Sequence, residues 1–186
     1  MRVPAICGGG GEGVGSTLEH VGTFGDKRDV AGVSDTQTNR VLYVSRNARR
    51  KMPNDVIVSF KDFLQQLEAR HGHRKATLVM HTDPTDPEGP NLYQTLDMLH
   101  MKEHVVFSKE RLGFPEMNSL YNVCDTIVNR SCNEGFGLPT LEAMMTGMPI
   151  IALKTGGLTR QVQDHVTGEQ YGIALEPETR SLVGTQ

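Results

Sequence analysis

Two carboxylates flank a glycine-rich turn in the run Glu134-Gly135-Phe136-Gly137-Leu138-Pro139-Thr140-Leu141-Glu142. The glycines leave room for a ligand beside the backbone, and Pro139 favours the first turn of a helix, whose unpaired N–H groups face the same place. A carboxylate there could accept hydrogen bonds from the hydroxyl groups of a ligand. The structural alternative is that Glu134 is an exposed loop acid and that Glu142 offsets the dipole near the helix N-terminus.

Four cations lie within six positions, namely Arg46, Arg49, Arg50 and Lys51. Arginine can grip two oxygens at once and lysine supplies a compact charge, so this cluster suits a diphosphate. A solvated basic loop would have the same composition. The turn Lys154-Thr155-Gly156-Gly157 could likewise bring backbone amides toward a bound anion.

The elements that must position these residues alternate along the chain from Val41 onward. Short apolar runs predict buried strands, and segments with apolar residues three and four apart predict helices. The predicted strands are residues 41–44, 76–80, 104–107, 126–129, 149–153 and 170–175. The first predicted helix begins at Pro53 and Asn54, with Asn54 as its N-cap, and ends at Gly72. The other predicted helices are residues 92–101, 116–124, 139–146 and 159–165.

This alternation is typical of an α/β domain with a doubly wound, Rossmann-like parallel sheet and right-handed crossovers. Ligands of such sheets bind beyond the carboxyl ends of the strands. Chemistry is therefore expected in the loops that follow Val44, Met80, Phe107, Asn129 and Leu153. The candidate cations, Glu134 and the double glycine lie in three of these loops.

Residues 1–40 differ from the rest, because they hold 9 of the 20 glycines. Gly8, Gly10 and Gly13 formally match GxGxxG, but neither a complete βαβ unit nor the lysine of a P-loop accompanies them. The segment is predicted to be a flexible or fragmentary lead. An NAD(P)-dependent enzyme built on the loop 8–15 is kept as one further hypothesis.

The composition excludes several classes of protein. The 186 residues include 19 basic and 22 acidic side chains, a net charge of −3 that argues against non-specific binding of nucleic acid. No apolar run approaches the roughly 18–20 residues of a membrane span, and the N-terminus has no signal-peptide pattern, so a cytoplasmic protein is expected. The seven histidines lack metal-site spacing.

The loops together resemble the retaining glycosyltransferases of the GT-B fold, family 4, also called group 1. The run from Glu134 to Ala143 is similar to the E-x7-E motif of that family. Arg46 and Lys51 are similar to the Arg and Lys pair of the family, and Gly156-Gly157 is similar to its double glycine. The resemblance covers residues 41–176. It implies that residues 41–186 are the second, donor-binding half of a GT-B fold, truncated at its C-terminal end, where 176–186 is polar.

The resemblance also implies roles for single residues. Arg46 and Lys51 would hold the diphosphate of a nucleotide-activated sugar linked to UDP, GDP or ADP, and Glu134 would contact the sugar hydroxyls. These three are the catalytic candidates, with neither a metal ion nor a cofactor. Gly135, Phe136 and Gly137 would present backbone amides, and Glu142 would bind the ribose. The implied donor-binding residues are Gly135, Phe136, Gly137, Leu138, Glu142, Gly156 and Gly157.

Some residues depart from the family pattern. Ser45 replaces a common glycine, Arg130 a common proline, and Leu158-Thr159-Arg160 follows the double glycine where many members have a glutamate. A GT-B enzyme also needs an N-terminal acceptor-binding domain, which residues 1–40 are too short to form. The leading hypothesis is the donor-binding half of a hexosyltransferase, weakly active or inactive alone. The alternative is a non-catalytic α/β module that binds nucleotide or a partner protein.

Overall fold

A computed structural model describes residues 38–177, which form one parallel six-stranded sheet. The strands are β1 (Asn39–Val44), β2 (Ala76–His81), β3 (Val105–Ser108), β4 (Thr126–Asn129), β5 (Ile150–Leu153) and β6 (Ile173–Leu175). Their spatial order is β3-β2-β1-β4-β5-β6. The order reverses beside β1, as in a doubly wound Rossmann-like sheet, so the predicted fold class is confirmed. The glycine loop 8–15 and the polar end beyond 177 lie outside the described residues.

Five helices connect the described strands. They are α1 (Pro53–His71), α2 (Leu92–Leu99), α3 (Phe114–Val123), α4 (Leu138–Met145) and α5 (Leu158–Val162). Single 3₁₀ turns occur at Arg49–Lys51 and Lys102–His104. No helix between residues 38 and 177 is both long enough and apolar enough to cross a bilayer.

Buried side chains of the sheet divide into two apolar clusters, one on each face. Leu42 packs in one cluster and its neighbour Tyr43 in the other, because successive side chains of a strand point to opposite faces. The helices α1 and α2 cover the Tyr43 face, while α3, α4 and α5 cover the Leu42 face. Because helices cover both faces of the sheet, side chains on both sides of each strand are buried. This burial explains why the strands are short, mostly apolar runs in the sequence.

The start of α1 corrects one prediction. Asn54 is not the N-cap, because Met52 precedes the helix in the left-handed conformation with φ 54° and Pro53 is its first residue. The Asn54 side chain instead accepts a hydrogen bond at 3.0 Å from the hydroxyl of Thr95 on α2. The predicted end is confirmed, since Gly72 has φ 71° and its N–H binds the Glu68 carbonyl at 2.8 Å.

Two elements near the C-terminus are shorter than predicted. Helix α5 ends at Val162 rather than 165, and β6 begins at Ile173 rather than 170. Between them the Asp164 carboxylate accepts the N–H groups of Val166 and Thr167 at 2.7 and 2.8 Å, which forms a tight turn. These hydrogen bonds lower the pKa of Asp164. The turn competes locally with the helix, and hydrophobic period alone does not reveal it.

Candidate functional site

Three of the expected loops meet at the carboxyl edge of the sheet, because β1 pairs with β4 and β4 pairs with β5. The Cys132 N–H donates to the Arg50 carbonyl at 2.9 Å, and the Arg50 guanidinium donates to the Asn133 carbonyl at 3.0 Å. The Thr155 hydroxyl donates to the Ser131 carbonyl at 2.7 Å. Hydrogen bonds to backbone carbonyl groups therefore connect the loops after β1, β4 and β5.

Lys51 and Glu134 form an ion pair at the centre of this edge. The lysine Nζ contacts Oε2 of the glutamate, and the two side chains are only 11% and 12% exposed. The Tyr43 hydroxyl donates to the Lys51 carbonyl at 3.3 Å, which links the pair to the core. Burial raises the pKa of Tyr43, so that its hydroxyl stays protonated as a donor. The structure thus brings together two of the three predicted catalytic side chains.

The double glycine packs directly on the backbone that carries Glu134. The Gly157 N–H donates to the Glu134 carbonyl at 3.1 Å. Gly156 has φ 51°, and a Cβ atom there would overlap the same carbonyl oxygen. A Cβ at Gly157 would lie 2.6 Å from the Phe136 backbone oxygen. Both positions need glycine because two main chains touch here.

Three predicted donor-binding residues have backbone N–H groups that find no acceptor in the part of the chain that the structure describes. They are Gly135, Phe136 and Gly137, whose N–H groups contact no hydrogen-bond acceptor between residues 38 and 177. Gly137 has φ 89° and directly precedes α4, whose first residue, Leu138, is exposed. The Phe136 carbonyl accepts from the Gln161 side chain at 2.7 Å, which holds the loop in place. These amides can therefore donate to an anion or a hydroxyl oxygen.

Glu142 contacts helix α3 rather than Glu134. Its Oε2 accepts the Tyr121 hydroxyl proton at 2.6 Å, and Tyr121 is 3% exposed. Burial, together with this hydrogen bond, raises the pKa of Tyr121. Sequence reasoning did not identify Tyr121, because 21 residues separate it from its partner and its type also fits a core position.

Arg46 contacts the loop after β2 instead of the lysine-glutamate pair. Its Nε lies 2.7 Å from Oδ2 of Asp86, and its NH1 lies 3.1 Å from Oε2 of Glu88. The arginine hydrogen bond lowers the pKa of Asp86. Asp86 and Glu88 were missed as site residues. In the sequence, the only indication that they belong to the site was their position in the loop after Met80, which is one of the loops where chemistry was expected.

A cavity of about 410 Å³ lies beside the double glycine. It is lined by Phe136, Gly156, Gly157, Arg160 and Gln161. Arg160 and Gln161, which belong to α5, were not predicted as site residues. Arg160 was noted only as part of the segment where related chains often carry a glutamate. Between residues 38 and 177, no group of three or more His, Cys, Asp or Glu side chains could hold a metal ion.

Comparisons with known proteins agree with this architecture. The family model described as glycosyl transferases group 1 matches residues 26–175, a segment that begins within the predicted lead. The chain is 42% identical over 131 residues to a D-inositol 3-phosphate glycosyltransferase of Salinispora arenicola, covering 69% of this chain and 29% of that protein. It is 26% identical over 137 residues to the N-acetyl-alpha-D-glucosaminyl L-malate synthase of Bacillus anthracis, covering 74% and 32%.

Solved structures show the same fold. The Anabaena protein Alr3699/HepE, crystallised with UDP and glucose, matches with a TM-score of 0.59 and 23% identity, covering 78% of this chain and 36% of that one. The sucrose-phosphate synthase of Thermosynechococcus elongatus matches with a TM-score of 0.61 and 24% identity, covering 76% and 33%. The chain spans between 16% and 34% of the length of the curated relatives it matches.

Proposed function

Because this chain belongs to the group 1 glycosyl transferases, we propose that residues 41–186 are the donor-binding half of a retaining glycosyltransferase. It would transfer a hexosyl group from a nucleotide diphosphate sugar to an acceptor bound by a separate N-terminal domain. The relative crystallised with UDP and glucose is consistent with such a donor.

The observation that carries the proposal is the contact between Lys51 and Glu134. In a nucleotide diphosphate sugar, the diphosphate and the sugar are neighbours joined through a single oxygen. A cation that binds the phosphate and a carboxylate that binds the sugar hydroxyls must therefore also be neighbours. The pair meets this requirement, and its low exposure strengthens both interactions relative to those in water.

The proposed chemistry follows from the groups around this pair. As the glycosidic bond breaks, the anomeric carbon becomes oxocarbenium-like and negative charge grows on the departing diphosphate. Lys51 and Arg46 would stabilise that charge, and the amides of Gly135, Phe136 and Gly137 would donate to donor oxygens. Leu138 and the double glycine would line the donor site. Glu142 would accept from a ribose hydroxyl, and its contact with Tyr121 would orient it.

Calorimetric titration of the 186-residue chain with UDP, GDP and ADP tests donor binding and identifies the base. We expect at least one of these nucleotides to release or absorb heat on binding. The variant Lys51→Met should bind that nucleotide at least about tenfold more weakly, because it lacks the ammonium group that would contact the phosphate. Arg74→Met is the matched control, because Arg74 forms an exposed pair with Glu68 and precedes β2 at the opposite edge of the sheet.

The alternative function predicts a different outcome. No heat with any of the three nucleotides would contradict donor binding and favour a non-catalytic module that binds a partner protein. Equal losses in Lys51→Met and Arg74→Met would show that the effect is one of general charge, not of the site.

A further inference from the structure

The Arg46 guanidinium is held by carboxylates at all three of its nitrogen atoms. Asp86 accepts from Nε at 2.7 Å and from NH2 at 3.3 Å, and Glu88 lies 3.1 Å from NH1. One positive charge therefore faces two negative charges. A diphosphate that binds Arg46 would therefore bind a guanidinium whose charge the two carboxylates already neutralise.

The two carboxylates lie on a loop that is firmly attached. Asn47 is fully buried and its side chain donates to the Pro90 carbonyl at 2.9 Å. A Cβ atom at Gly89 would overlap the Asn47 side chain, so the two loops touch without a gap. The Asp86 carboxylate also accepts the Glu88 N–H at 3.0 Å, and the Asp86 side chain is only 12% exposed.

The Arg46 side chain, in contrast, can leave these carboxylates without disturbing the packing between the two loops. Its side chain is 59% exposed and has several rotatable bonds. Among residues 38–177, a rotation of this side chain breaks only its contacts with Asp86 and Glu88. A movement of the loop would break the Asn47 hydrogen bond and open a buried contact. When a ligand binds, the side chain of Arg46 is therefore the part that changes position.

We propose that Asp86 and Glu88 form a carboxylate clamp, which competes with the donor diphosphate for Arg46. This inference rests on the proposed function, because that function assigns Arg46 to the diphosphate. Binding of a nucleoside diphosphate exchanges the carboxylates for phosphate oxygens on the same guanidinium. The clamp thereby weakens donor binding and keeps Arg46 neutralised in the empty site.

Titration calorimetry at low salt tests the clamp. The probe is whichever of UDP, GDP and ADP gives the largest heat across the wild type and the double variant Asp86→Asn/Glu88→Gln. We expect the double variant to bind about three- to tenfold more tightly, the range set by releasing one ion-pair cluster whose arginine is largely exposed. Glu88→Gln alone should give part of the gain, and since Glu88 is 58% exposed this change leaves the fold intact.

Two controls separate the clamp from a general change of charge. Glu68→Gln removes one carboxylate from the exposed pair with Arg74 and should leave the affinity within about twofold of the wild type. Adding Arg46→Gln to the double variant should abolish the gain, because the gain acts through that guanidinium. A gain that persists without Arg46 would overturn the clamp.

The outcomes distinguish the clamp from the function on which it rests. If the wild type binds nucleotide and the double variant binds equally or more weakly, the clamp is wrong and donor binding stands. If neither protein binds any of the three nucleotides, the proposed function fails and the clamp fails with it. Binding by the double variant alone would support both.

Discussion

Lys51 and Glu134 lie 83 residues apart in the chain, yet their side chains form an ion pair that is nearly closed to solvent. The pair links the loop after β1 to the loop after β4. Its low exposure means that removing one partner leaves the other charge poorly solvated. The same contact therefore bears on both stability and donor binding.

Breaking the pair should lower the stability of the fold. We expect Lys51→Met to reduce the free energy of unfolding by about 1–3 kcal/mol, because Glu134 loses its charged hydrogen-bond donor. The double variant Lys51→Met/Glu134→Gln should lose less than the sum of the single losses. Urea unfolding measures all three. Additive losses would mean that the two side chains do not interact in solution.

Glu134 should be essential for transfer. In a longer chain that contains the acceptor-binding domain, Glu134→Ala is expected to lower kcat by at least about a hundredfold, because it removes preorganised hydrogen bonds to the sugar. The assay measures sugar release and transfer with the donor that calorimetry identifies. Glu68→Ala, on the outer face of α1, serves as the control. A kcat near the wild-type value would rule out the role assigned to Glu134.

Gly156 should tolerate alanine much less well than Gly147. Both have positive φ, 51° and 74°, but a Cβ at Gly156 overlaps the Glu134 carbonyl while Gly147 has nothing within 4 Å. Gly147→Ala should cost about 1–2 kcal/mol, the strain of the left-handed conformation alone. Gly156→Ala should cost more and should also weaken nucleotide binding. Thermal unfolding and calorimetry compare the two, and equal costs would contradict the close contact.

His81 should make stability depend on pH. Burial lowers its pKa from the ordinary value of 6.5, and its Nδ1 lies 2.9 Å from the Ser108 hydroxyl. The unfolded chain therefore binds the proton more readily than the fold does, and stability falls as the pH drops below about 6.5. In urea unfolding at pH 7.5 and 5.5, His81→Asn should lose less stability between the two than the wild type. Equal losses would exclude this effect.

The predictions from sequence succeeded where the signal is local. The strand at residues 126–129 was predicted with the observed bounds, since the β-branched residues Thr126, Ile127 and Val128 favour a strand. Gly72 ends α1 as predicted because a glycine can adopt the left-handed conformation. Asn54 was misassigned as the cap. The αL conformation of Met52 that sets the entry to α1 has no signature in residue type.

The sequence by itself determined the alternation of strands and helices and the loops in which the candidate residues lie, because hydrophobic period and turn residues act over a few positions. Only the tertiary structure decided which charges meet. Lys51 pairs with Glu134 across 83 residues, and Arg46 pairs with Asp86 across 40. These pairings depend on the order of strands in the sheet, which sets the loops that become neighbours and which no local pattern encodes.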